Sequence, residues 1–264
     1  MRCRVEGSDA FLGGVVLGSV PRGDHSFRSD LDVFVLYAGI AREEAVETMQ
    51  RLASFARQHH VPLSLIPLDD ARARSPETHC LESLFVEHLR TCSGRAGVIK
   101  KDPFGWLVGY GEDRFVPETM AYLLHKIEKF EKGECTAPAM SEESYCDLLS
   151  DVLSFPASVV RKVIRCHGIL FSDGDSKREV VRLYRKHDGF TEDGEPLRLF
   201  NRLLSEERRY HGILLDVIEG RKAGMSRREY DVVLRNIEAV IPTAVEFGRA
   251  NFNLLLEATL LCQS

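Results

Sequence analysis

The chain has 264 residues, 44% hydrophobic and 28% charged, with a formal net charge of −5 and a pI near 6.0. That length suits one large domain or two ordinary ones and allows a substantial core. The acidic balance argues against an extended nucleic-acid surface, which requires a basic patch. Residues 1–112 carry 13 Lys+Arg against 15 Asp+Glu, of 35 and 40 in the whole chain, so neither half is a polyanion-binding tail. No window approaches the run of about 18 apolar residues of a membrane span, so no membrane partner is expected. The N-terminal MRCRVEGSDAF has no apolar signal core, and cytoplasm is the expected location. The cysteines at 3, 80, 92, 135, 146, 166 and 262 form no CxxC pair, which signals neither a zinc site nor a disulfide framework. They read as reduced, mostly buried, small apolar residues.

In chain order, Gly13–Leu17 is a short apolar run ended by Gly18, as a buried strand would be. Val20 to Phe27 holds Pro21 and Gly23 and reads as a turn, and Leu31–Tyr37 as a second strand. Ala41 to His59 is helical, with Ala45, Met49, Leu52 and Phe55 or Ala56 recurring at three and four. Val61 to Leu68 is a third strand whose Pro62 and Pro67 imply an edge position. Leu81–Leu89 is an amphipathic helix and Gly97–Ile99 a short last strand.

Beyond residue 112 strand signals vanish. Pro117 opens a helix striped by Met120, Leu123, Leu124, Ile127 and Phe130, which Gly133 is expected to end. A second stripe from Tyr145 to Val152 is expected to stop at Pro156, with Val159 to His167 on a third helix. Ser176-x-x-Glu179 and Ser226-x-x-Glu229 read as capping boxes. Pro196 can start another helix, and Ala244–Leu261 forms the last after Pro242. The expected class is α+β, with a small mixed-sheet α/β domain over 1–112 and an all-α helical bundle over 113–264.

The chemistry-bearing stretch is GSVPRGDHSFRSDLDVFV, residues 18–35. Asp30 and Asp32, at i and i+2 of a strand, share one face. Two like charges before a buried run are costly unless a cation lies between them, and hard oxygens suit Mg²⁺. Gly18-Ser19, Arg22-Gly23, Ser29 and Asp30-Leu31-Asp32 together resemble the signature of the DNA polymerase β-like nucleotidyltransferase superfamily. The order of an α/β domain and a helical bundle further resembles minimal nucleotidyltransferases with HEPN-like helical domains, and aminoglycoside adenylyltransferases. The resemblance implies Mg²⁺-dependent transfer of a nucleoside monophosphate, AMP from ATP or another NTP, to a hydroxyl on a small-molecule or protein acceptor. Asp30 and Asp32 would be catalytic metal ligands. Gly18 and Ser19 would receive the terminal phosphates, Arg22 would add a charge-assisted contact, and Ser29 would support the turn. The active site would lie in the cleft between the domains, and a homodimer is compatible with this reading.

Members of that superfamily carry a third carboxylate on the next strand, where this chain has Ser64 in Leu63-Ser64-Leu65-Ile66. A serine hydroxyl is a weak ligand and a poor base. Asp69 or Asp70 could replace it, or Glu118 or Glu128 of the helical half. Alternatively, the domain is catalytically degenerate and acts as a nucleotide-binding or partner-binding regulatory module. A ribonuclease reading rests on Arg161 and His167, or equally on Arg182 and His187, spacings that chance readily produces. His59 and His60 read as helix-end cations, His125 as a domain-interface residue and Trp106 as core. Lys126, Lys129 and Lys132 read as a solvated face.

Overall fold

The computed structural model describes residues 10–17, 20, 31–59, 61–75, 79, 81–91, 98–99, 107, 109–136, 140–169, 177–186, 194–218 and 226–261. The chain divides into two compact units, Met1–Arg114 with Phe171–Lys177, and Phe115–Leu170 with Arg178–Ser264. Its class is α+β, a small mixed sheet followed by helices.

In the first unit, β1 (Phe11–Leu17), β2 (Leu31–Tyr37), β3 (Leu63–Asp69) and β4 (Val98–Ile99) form a sheet of order β3-β2-β1-β4. β1 pairs antiparallel with β2 and β4, and β2 pairs parallel with β3. Helix α1 (Arg42–Gln58) makes the crossover from β2 to β3 that a parallel pair requires. Strand alternation divides the core. Val33, Val35 and Tyr37 pack with Ala45 and Leu52 of α1 on one face. Phe34 and Leu36 pack on the other with Val15, Leu17, Leu68 and, from helix α3 (Ser83–Thr91), Val86 and Leu89. Each such side chain contributes about 1.5–3 kcal/mol by burial. The stripe of α1 runs through Ala56, which is buried, while Phe55 is exposed. The ladder advances from Phe11↔Tyr37 to Gly13↔Leu36, so Leu12 is the extra residue of a bulge. The bulge turns Phe11 to the α1 face while Leu12 packs on the other.

β3 is an edge strand, as its prolines imply. The Leu31 N–H donates to Pro62 O at 2.8 Å. In a parallel ladder this phase points the even-numbered amides of β3 at β2 and the odd-numbered ones outward. Pro67 is odd, so its missing N–H costs the sheet no bond and removes a donor from the outer edge. Short helix α2 (Asp70–Ala73) follows at the end of β3.

The second unit is helical: α4 (Phe115–Thr136), α5 (Glu142–Cys166), α6 (Lys177–Lys186), α7 (Glu195–Ile218), α8 (Arg227–Glu238) and α9 (Ile241–Leu261). α4, α5, α7 and α9 pack around an aromatic centre. Phe155 meets Phe130 edge-on at 5.1 Å and Phe247 at 6.0 Å, and Phe200 stacks on Phe247 at 6.0 Å. Two expected helix ends are corrected. Gly133 does not end α4, which runs on to Thr136. A Cβ on Gly133 would lie 2.5 Å from Leu148 Cδ2, so the glycine admits α5 at close range rather than breaking α4. Pro156 does not stop α5 either; Glu142–Cys166 is a single helix with the proline inside it. An interior proline costs about 3 kcal/mol. Burial of Val152, Leu153, Phe155, Val159, Val160, Val163 and Ile164 along the same helix outweighs that.

The second capping box is present in both halves. The Ser226 amide donates to Glu229 Oε2 at 2.7 Å, and the Glu229 amide to Ser226 Oγ at 3.3 Å. The Ser226 amide thereby holds the Glu229 carboxyl below its ordinary range. Ser176 lies outside the described residues. Pro196 and Pro242 fall in the first turns of α7 and α9.

Candidate functional site

Of the expected site residues, Asp32 is described; Gly18, Ser19, Arg22, Ser29 and Asp30 lie outside the described residues. Asp32 is the second residue of β2, half-buried, on the face that carries Phe34 and Leu36. Its register partner on β1 is Leu17, the residue before Gly18-Ser19 in the chain. Its partner on β3 is Ser64. Paired residues of neighbouring strands direct side chains to the same face about 4.8 Å apart. One cross-strand row therefore reads Leu17, Asp32, Ser64: an apolar side chain, a carboxylate and a hydroxyl. Serine thus lies beside Asp32 at the position where the resemblance implies a third carboxylate.

Asp69 and Asp70 do not reach this row. In register terms Asp69 faces Tyr37, five positions from Ser64, or roughly 16 Å along the strand. The Asp69 carboxylate accepts the Arg72 amide at 2.7 Å as the N-cap of α2, and Asp70 Oδ1 accepts the Gly39 amide at 2.9 Å. Both acids serve the opposite end of the sheet. Glu118 and Glu128 both lie on α4 of the second unit, Glu118 half-buried and Glu128 exposed.

Arg161 lies within α5, whereas His167 is its C-cap. Six helical residues separate them by about 120° around the axis, so the structure does not bring them onto one face. Arg182 is engaged by Glu179, and His187 lies outside the described residues. His59 caps the end of α1, its amide donating to Ala56 O at 3.1 Å. His125 is exposed; His60 and Trp106 lie outside the described residues. Lys126 and Lys129 are not simply solvated. Lys126 Nζ lies 2.8 Å from Asp151 Oδ2, and Lys129 bonds the same oxygen, joining α4 to α5. Burial alone would raise the Asp151 carboxyl, but the two ammonium groups outweigh it and hold it below its ordinary value. Among the described cysteines Cys146 is buried, Cys166 half-buried and Cys135 exposed, all as free thiols.

Several polar groupings had no sequence signal, because their members lie far apart in the chain. His79 is buried; its Nδ1 accepts the Leu81 amide at 3.1 Å and lies 3.4 Å from Tyr110 Oη. Arg114 covers the Tyr110 ring at 4.7 Å. In the second unit Lys162 and Arg165 are nearly buried, over the rings of Tyr122 at 4.6 Å and Phe115 at 4.2 Å. Tyr145 donates to Glu238 at 2.7 Å and Tyr230 to Glu142 at 2.8 Å, so α5 and α8 are clasped reciprocally. Burial pushes both phenols above their ordinary range, reinforced by Glu238 at Tyr145 and by Cys146 and then Glu142 at Tyr230.

No family model, curated protein or solved structure matches the chain. Among the described residues no group of three or more His, Cys, Asp or Glu could hold a metal ion. No described helix is long and apolar enough to cross a membrane.

Proposed function

We propose that the first unit binds a nucleoside triphosphate with Mg²⁺ and transfers its nucleoside monophosphate, AMP if the triphosphate is ATP, to an acceptor hydroxyl. The observation that carries this reading is the register of Asp32 with Leu17. Leu17, which precedes Gly18-Ser19 in the chain, is thereby level with Asp32, an arrangement that supports phosphate-binding and metal-binding halves of one site. Asp30 and Asp32 would hold the Mg²⁺, while Ser19 and Arg22 would bond the terminal phosphates. Bound Mg²⁺ would neutralise charge that develops on the phosphate oxygens. The acceptor oxygen bonds to the α-phosphorus, the α–β bridging P–O bond breaks, and pyrophosphate leaves with that electron pair. The acceptor proton passes to solvent. Replacing Asp30 or Asp32 by Asn should abolish Mg²⁺-dependent pyrophosphate release across an acceptor screen. Full turnover in either variant would overturn the assignment.

A second reading, nucleotide binding without transfer as a regulatory module, is favoured by the Asp32–Ser64 pairing and by the engagement of Asp69 and Asp70 elsewhere. Calorimetry with Mg-ATP distinguishes it. Tight, Asp32-dependent binding with no pyrophosphate released for any acceptor supports this reading over the first.

A further inference from the structure

We draw no further inference here: the strongest candidate, the cluster of cations formed by Lys126, Lys129, Lys162 and Arg165 where α4 packs on α5, carries none, because the Asp151 carboxylate already engages Lys126 and Lys129 while Lys162 and Arg165 already lie over the rings of Tyr122 and Phe115.

Discussion

At the Tyr37 end of the sheet, Asp69 and Asp70 each accept a backbone amide, from Arg72 at 2.7 Å and Gly39 at 2.9 Å. At the opposite end Asp32 stands in a row between Leu17 and Ser64. The first two carboxylates follow the end of β3, where the chain turns into α2 and unpaired amides need acceptors. Asp32 opens β2 and has an interaction of its own there. The same residue type caps backbone amides at one end of the sheet and, on the proposed reading, serves a ligand at the other. A third case lies in the helical unit, where Asp151 is held by Lys126 and Lys129. On the proposed reading these acids separate into ligand, ion pair and cap, and substitution should rank them.

Asp32→Asn tests the ligand end and should have the largest effect. Removing one charged contact to Mg-nucleotide is worth roughly 3 kcal/mol or more, a loss of at least about 100-fold in affinity by calorimetry. The loss of affinity should far exceed any change in the melting temperature measured without nucleotide. A large drop in melting temperature would make Asp32 structural and erase the difference between the two ends.

Asp151→Asn should leave nucleotide binding alone and lower stability by about 2 kcal/mol at neutral pH, since two cations then lose their shared counter-charge. The pH dependence has a definite sign. The folded carboxyl titrates below its unfolded value because the lysines outweigh burial. Its contribution is complete above the unfolded value, near about 4, and is lost as pH falls through the folded one. The gap between wild-type and Asp151→Asn melting temperatures should therefore close on acidification below about pH 4. A gap independent of pH would show that packing, not charge, holds Asp151.

What could be read from residues alone follows the range of each signal. The span of β2, the edge position of β3 and the Ser226 cap depend on alternation, proline chemistry and a four-residue motif, all local. Gly133 and Pro156 are local breakers too, yet both lie inside helices. Leu148 needs the space at Gly133, and the buried stripe around Pro156 outweighs its lost bond. The serine beside Asp32 could be read by aligning apolar patterns, because register follows alternation. That Asp69 and Asp70 were already engaged could not, since it depends on where α2 and Gly39 meet the strand end. Asp151 and its lysines are 22 and 25 residues apart, beyond any pattern in the sequence.

The smallest effects belong to the capped end, and they bear most directly on the two-ended picture. Asp69→Ala removes the N-cap of α2 and should cost about 1 kcal/mol in denaturant unfolding. Asp70→Ala removes one solvent-accessible bond to the Gly39 amide and should cost about 0.5 kcal/mol. Neither should change nucleotide affinity or turnover, because roughly 16 Å of strand separates Asp69 from Ser64. If turnover fell in Asp70→Ala with its affinity for Mg-ATP intact, this acid would be supplying the base that Ser64 does not. The opposite ends of β3 would then have to belong to one site, which the parallel register of β2 and β3 forbids without unpairing them.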